Sequence, residues 1–308
     1  MIKINKVPLR NILIVTSITL SYLLLSFILI GFKTDQLFLA GLFNFMYYFS
    51  VSTRKFILGF SIFIVFWIIF DSMKAFPNYQ FNTIHIKDLY LKEKSIFGIS
   101  DNNTILTPNE FAQKHSKTFL DIASGLFYIN WMPIPLIFAF YLFRKNKTQF
   151  LKFSLAFLFV NIIGFVVYYI FPAAPPWYVQ KYGFDVHFNT PGNTAGLSRF
   201  DNYFGINMFG ALYSKSSNVF AAMPSLHSAY PVVVLFFGLK NKMGIINYFF
   251  AFFMIGIWFS AIYSGHHYTL DVLMGITCAI TGLIIFNYAI IKNSYMRNFL
   301  FSYESVIS

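Results

Sequence analysis

Apolar residues run through this chain in long uninterrupted blocks, near residues 11–32, 36–52, 56–73, 119–143, 150–171, 221–239, 244–263 and 266–290. A helix needs ~20 such residues to cross the hydrocarbon core of a bilayer. The pattern therefore predicts an all-α fold, a polytopic bundle of about eight membrane helices. The second and third blocks are short, with only Thr53, Arg54 and Lys55 between them.

The polar intervals carry a second pattern. Short basic loops recur at Arg54-Lys55, Arg144-Lys145-Asn146-Lys147, Lys240-Asn241-Lys242 and from Lys292 to Arg297. With eight spans, these loops and the basic N-terminus (Lys3, Lys6, Arg10) fall on one side, which the positive-inside rule makes cytoplasmic. Two long segments, about 74–118 and 172–220, then face outward; the first is itself basic, but long loops cross largely regardless of charge. The chain accordingly divides into N-terminal membrane helices with an outer loop (1–118), a membrane domain that carries the chemistry (119–290) and a cytoplasmic tail (291–308). The first block follows basic residues as a signal peptide does, yet it lacks a small-residue cleavage site and further spans follow, so it reads as a retained helix. Within 74–118, Thr107, Pro108 and Glu110 sit where a helix cap, its first position and a capping box belong. The short helix that starts there is either a connector or a lid for lipid entry. The 172–220 segment is rich in Gly, Asn, Pro and aromatic residues, and a loop of that length between spans is often functional.

Composition narrows the class. Of 308 residues 57% are hydrophobic and 11% charged, against roughly 25% charged in a soluble domain. The net charge of +12 flanks apolar runs, so it reads as membrane orientation rather than nucleic-acid binding. The single cysteine, Cys278, lies inside the last block and permits neither an internal disulfide nor a thiolate metal site. A Phe/Ile/Asn/Lys-rich chain with lean tails points to a bacterial inner membrane.

Two stretches place polar residues at span mouths, where they are costly. "AAMPSLHSAY" (Ala221 to Tyr230) opens one span with His227; "YSGHHYTLDVLMG" (Tyr263 to Gly275) closes one and opens the next with His266, His267 and Asp271. With eight spans all three histidines emerge on the same outer side. Asp271 is four residues after His267, so on a helix the two share a face. A carboxylate in the membrane needs a partner, and one bonded to an imidazole fixes its tautomer and makes the other nitrogen a usable nucleophile. His227 is then placed to donate a proton to a leaving oxygen. Two other readings stand: rings resting at the headgroup interface, and a zinc site of His227, His267 and Asp271. The i, i+4 spacing suits an orienting carboxylate better than a metal ligand.

"PSLHS" (Pro224 to Ser228) and "HHYTLD" (His266 to Asp271) resemble the second and third signatures of the type 2 phosphatidic acid phosphatase superfamily. "FPAAPPWY" (Phe171 to Tyr178), with Leu before the histidine of "PSLH", resembles the inositol phosphorylceramide synthase branch. The resemblance covers roughly 119–290 and implies a six-helix phosphatase-like core and a transfer that needs neither metal nor cofactor. In that chemistry His267 attacks phosphorus to give a phosphohistidine, while His227 protonates the leaving alkoxide and then deprotonates the acceptor. The partners implied are a phospholipid donor and a lipid hydroxyl or water as acceptor. The pattern departs from the superfamily in two places. The first signature's lysine and arginine are absent, and the arginine six residues before His267 is Ala261, after a retained Ser260. The outer loop offers Lys181, Arg199 and Lys215 as substitutes, with backbone N–H groups around Ser225 assisting. His266 points about 100° away from His267 on a helix and contacts either headgroup phosphate or the interface. Trp177 and Tyr178 read as interfacial anchors, or as part of a loop that the prolines hold over the site. The activity expected is transfer of a phosphorylated headgroup, such as phosphoinositol, to a ceramide-like acceptor. The alternatives are a lipid phosphate phosphatase and a proton-coupled transporter.

Overall fold

Every apolar block becomes helix in the computed structural model, which describes residues 7–214 and 218–308. In chain order the elements are α1 (Leu9–Ile30), α2 (Thr34–Phe49), α3 (Val51–Ser72), α4 (Lys87–Phe97), β1 (Ile99–Asp101), β2 (Thr104–Leu106) and α5 (Pro108–Lys114). Then come α6 (Thr118–Tyr128), α7 (Pro133–Lys145), α8 (Lys147–Ile170), α9 (Pro176–Tyr182), α10 (Ser198–Phe204) and α11 (Met208–Tyr213). The last four are α12 (Leu226–Lys240), α13 (Ile246–Tyr263), α14 (Thr269–Ile285) and α15 (Ser294–Ile307). Strands β1 and β2 form a small antiparallel hairpin within the all-α fold.

The protein is an integral membrane protein, and six of its apolar stretches, one of them bent, are long enough to cross a bilayer. Five stretches are long and apolar enough to cross: Leu9–Ile30, Val51–Ala75, Lys147–Ile170, Ile246–Tyr263 and Thr269–Ile290. A sixth is α6 with α7, bent by 42°. Pro133 breaks that span because it has no N–H and its ring clashes with the preceding turn. Helix α12 has 15 residues and α2 has 16, which at 1.5 Å each fall short of a core about 30 Å thick.

Contacts divide the chain into two units. One comprises Met1–Phe76, Leu142–Leu158 and Ile291–Ser308. Here Asn44 donates to Thr19 Oγ1 at 2.9 Å and ties α2 to α1. Ser50, in extended conformation, caps α3 by accepting the Thr53 N–H at 3.1 Å, which separates the two short blocks. Residues 294–307 are not a loose tail. Tyr303 of α15 donates to the Leu58 carbonyl at 2.7 Å, and Thr148 donates to the Glu304 carboxylate at 2.8 Å.

The other unit, Pro77–Tyr141 and Phe159–Ile290, carries both long segments and the histidine motifs. "FPAA" runs extended between two other segments: Ala173 N–H donates to Phe220 O at 2.8 Å and Ala174 N–H to His85 O at 3.0 Å. Ala222 N–H returns a bond to Ala173 O at 3.2 Å. Alanine is needed at 173 because the residue is fully enclosed. This ladder delivers the chain to "PSLHS" and the start of α12, which packs on α13 and α14. Gly275 permits the approach of α14, since a Cβ there would lie 2.1 Å from the Ser225 carbonyl.

Gly275→Ala should therefore force helix α14 away from Ser225 and destabilise by about 1–3 kcal/mol, the usual cost of overpacking. Gly41→Ala, in a helix with nothing within 4 Å, should be neutral or stabilising by up to about 1 kcal/mol. Thermal unfolding of the two purified variants checks the contrast; equal melting temperatures would remove the close-approach argument.

Candidate active site

Three helix ends meet in the second unit: the start of α12, the end of α13 and the start of α14. Ser225 N–H donates to Asp271 O at 2.9 Å, and His267 N–H donates to Ala261 O at 3.0 Å. These two backbone bonds put "PSLHS" and "HHYTLD" side by side although forty residues separate His227 from His267.

The rings then face one another. His227 Nδ1 lies 3.2 Å from His267 Nε2. On the far side of the His267 ring, Nδ1 lies 3.6 Å from Asp271 Oδ2, an ion-pair distance slightly longer than a hydrogen bond. His267 Nδ1 and Asp271 Oδ1 are both buried without a hydrogen-bond partner. The predicted trio is thus assembled in the predicted order: carboxylate, imidazole, imidazole. Among the described residues no group of three His, Cys, Asp or Glu side chains is arranged to hold a metal ion.

The start of α14 fixes this array. Its orphan N–H groups are taken by two carboxylates. Asp271 Oδ2 accepts Tyr268 N–H at 2.8 Å, while Glu93 accepts Thr269 N–H at 2.8 Å and Leu270 N–H at 3.0 Å. Glu93, on α4, is fully buried, and a carboxylate at a helix N-terminus is favoured by both the free donors and the dipole. Asn109 holds the other flank, donating to Ile262 O at 2.7 Å and His267 O at 2.8 Å. It sits inside the expected capping box, where Glu110 Oε2 accepts Thr107 N–H at 2.8 Å. Helix α5 is therefore a brace for the histidine loop rather than a connector.

Several expectations are corrected. His266 does not rest at an interface. It is 5% exposed, its Nε2 lies 2.9 Å from Thr194 O, and its ring stacks on Tyr213 at 4.3 Å and on Tyr128 at 5.6 Å. Tyr213 is brought there by α11, whose Phe209 and Gly210 N–H groups Asp201 accepts at 3.2 and 2.9 Å. Trp177 and Tyr178 are buried, not surface anchors. Trp177 N–H donates to Gly265 O at 3.1 Å, and Tyr178 OH donates to Asp185 O at 2.9 Å. The Ser225 N–H is committed to Asp271 O and is not free for phosphate, while its hydroxyl accepts from Ser228 at 3.0 Å. Pro224 is buried behind it, its bond to Met223 cis. Ala261, at the missing arginine's position, is enclosed among Tyr128, Leu197, Phe200, Phe209 and Val272. Arg199 pairs with Asp121 at 2.6 Å and lies over the Tyr263 ring, two residues past Ala261. Lys181 and Arg199 line one polar cavity of about 390 Å³ together with Asn109, Ser264 and Gly265. Lys215 lies outside the described residues.

Four contributors went unnoticed in the sequence: Glu93, Asn109, Tyr128 and Asp201. Tyr128 OH lies 3.1 Å from His227 Nδ1. Only Asn109 had a signal, its place in the capping box.

Burial sets the charge state of the loop. It pushes His267 down to about 4 and His266 down to about 3, so both rings are neutral near pH 7, as a nucleophile requires.

Residues 102–285 match the PAP2 superfamily. The chain is 43% identical over 300 residues to the phosphoinositol dihydroceramide synthase of Bacteroides thetaiotaomicron, covering 97% of this chain and 98% of that one. It is 29% identical over 201 residues to the inositol phosphorylceramide synthase of Candida albicans, covering 64% of this chain and 41% of that protein. Against the inositol phosphorylceramide synthase catalytic subunit of Saccharomyces cerevisiae it is 34% identical over 131 residues, covering 42% of this chain and 32% of that one. No solved structure matches.

Two measurements follow from the geometry. Glu93→Ala removes two charge-assisted bonds, each worth ~1.5–3 kcal/mol, and should lower both the melting temperature and turnover. Glu93→Gln keeps one acceptor and should recover part of each; unchanged turnover in both would remove the brace. Between pH about 6.5 and about 4 the unfolded imidazoles bind protons that the folded ones refuse. Stability should therefore fall as pH drops through that window. His266→Phe, which keeps the stack, should flatten the decline; an equal slope in variant and wild type would count against it.

Proposed function

The chain belongs to the PAP2 superfamily, and on that footing we propose that this membrane enzyme transfers phosphoinositol from a phospholipid to the hydroxyl of a ceramide-like lipid. The observation that carries the reading is the ring-to-ring placement of His227 and His267 with Asp271 behind.

Asp271 holds the proton of His267 on Nδ1, which leaves the lone pair on Nε2. That lone pair attacks phosphorus, a P–N bond forms, and the P–O bond to the diacylglycerol oxygen breaks. His227 supplies the proton that this oxygen needs. The carboxylate of Asp271 stabilises the positive charge on the phosphorylated ring. In the second half the acceptor hydroxyl gives its proton to His227 and attacks phosphorus, and the P–N bond breaks. The histidines are flanked by the rings of Tyr128, Tyr213 and Trp131, an apolar setting that favours a lipid acceptor over hydrolysis. With the shorter apolar helices α2 and α12 counted as crossings, the basic short loops support a site on the outer face of a bacterial inner membrane.

Incorporation of labelled phosphatidylinositol with and without an added ceramide tests the reaction. Label in the new lipid supports it, and release of free inositol phosphate alone would make the enzyme a hydrolase. His267→Ala should abolish turnover, and His227→Ala should lose about 10²–10⁴-fold. With a nitrophenyl phosphodiester, whose leaving group needs no proton, His227→Ala should regain phosphoenzyme formation while His267→Ala stays inactive. An acid-labile phosphoenzyme persisting in His267→Ala would place the nucleophile elsewhere. Activity should survive chelators; loss that zinc or magnesium restores would overturn the metal-free mechanism. Val186→Cys in a Cys278→Ser background, at a position 44% exposed, should react with an impermeant thiol reagent from outside intact cells. Labelling only after the inner face is opened would reverse the orientation.

A further inference from the structure

His227 Nδ1 has two polar neighbours rather than one. His267 Nε2 lies at 3.2 Å and the Tyr128 hydroxyl at 3.1 Å. Tyr128 is the last residue of α6 and is fully buried. Its ring packs against His227 at 5.4 Å and stacks on His266 at 5.6 Å, and its side chain also hydrogen-bonds with that of Tyr213. A phenol O–H both donates and accepts, whereas a neutral imidazole donates from one nitrogen and accepts at the other. Which nitrogen of His227 carries the proton is therefore set by the partner that wins Nδ1.

The two partners lead to opposite outcomes. With its own proton on Nδ1, on the side of Asp271, His267 presents a lone pair on Nε2. A proton on His227 Nδ1 is then drawn to that lone pair, and the electrons that have to attack phosphorus are tied up in a hydrogen bond. Contact between two neutral rings thus favours by itself an arrangement in which the nucleophile is masked. A hydroxyl that donates to His227 Nδ1 reverses this. Nδ1 becomes the acceptor, the proton of that ring sits on Nε2, and His267 Nε2 is left bare.

We propose that Tyr128 is a positioning residue for the transfer: its hydroxyl donates to His227 Nδ1, sets the proton of that ring on Nε2 and keeps the His267 lone pair open to phosphorus. Tyr213, donating to the Tyr128 oxygen, leaves the Tyr128 proton for His227. The proton that the leaving oxygen takes then comes from Nε2, on a ring that is only half-buried. The inference rests on the phosphotransferase reading, and it adds a hydroxyl that does for His227 what Asp271 does for His267. Each ring has one nitrogen held by a neighbour and the other left for chemistry.

Nitrogen NMR of the full chain carrying isotope-labelled histidine reads the tautomer directly, with the His227 signals assigned by their loss in His227→Ala. The expected result is a bare Nδ1 and a protonated Nε2 in the wild type. In Tyr128→Phe, which keeps the ring packing, the proton should shift to Nδ1. A protonated Nδ1 in the wild type, or a tautomer unmoved in the variant, would overturn the assignment. The effect on the nucleophile is read as phosphoenzyme formed from a nitrophenyl phosphodiester, whose leaving group needs no proton. There Tyr128→Phe should be about tenfold slower. Tyr128→Phe combined with His227→Ala should return to the rate of His227→Ala alone, because no ring remains to mask His267. A Tyr128→Phe rate equal to wild type, or a double variant slower than His227→Ala, would reduce Tyr128 to packing and sink the proposal. A wild type that forms no phosphoenzyme would fail the transfer reading instead, and the NMR arm still decides the tautomer.

Discussion

The first turn of α14 is the point on which the site depends. A helix that begins inside a membrane protein has donors with no water to satisfy them, and here two carboxylates take three of those N–H groups. Asp271 serves twice: one oxygen caps the helix, and the same carboxylate faces the His267 ring at 3.6 Å. Glu93 provides the capping that Asp271 cannot, so Asp271 need not turn away from the ring. The orientation of the His267 ring is thus decided by where a helix starts.

That arrangement explains what the chain reveals by itself and what it conceals. The trio His227, His267 and Asp271 was legible because it rests on local spacing: i, i+4 within one helix start, and polar residues at the mouths of apolar runs. The apolar blocks likewise named every long helix, since burial in lipid leaves a length signature that no tertiary contact has to complete. Glu93 was not legible. It binds across 176 residues, and a lone glutamate in a basic loop has no pattern to distinguish it. Pro133 was visible, yet the span around it was read as one helix because apolar length outweighed the missing N–H. Trp177, Tyr178 and His266 were misplaced for a common reason. Amphipathic rings suit an interface and a folded loop layer equally well, and the described residues of the 172–220 segment fold through Asp201, Ala173 and Thr194.

The lost cations illustrate compensation by environment. Ala261 stands where an arginine is expected, and the space is filled by aromatic packing. The positive charge reappears from a different stretch of chain, on Arg199, steadied by Asp121 and Tyr263. Moving the cation from a membrane helix to the outer layer leaves the helix core apolar and puts the charge beside a polar cavity. Neutral buried histidines fit the same economy, because they add no charge to a region with little solvent to stabilise one.

The bond between Glu93 and α14 also orders events in time. Glu93 is synthesised 176 residues before Thr269, and Ala173 must wait for Phe220 in the same way. Contacts this distant in sequence close slowly and late. Until α14 is made, Glu93 lacks the N–H groups that it accepts in the fold, and the histidine loop lacks that brace. A chain that stops short of α14 therefore lacks both Asp271 and the N–H groups on which Glu93 closes.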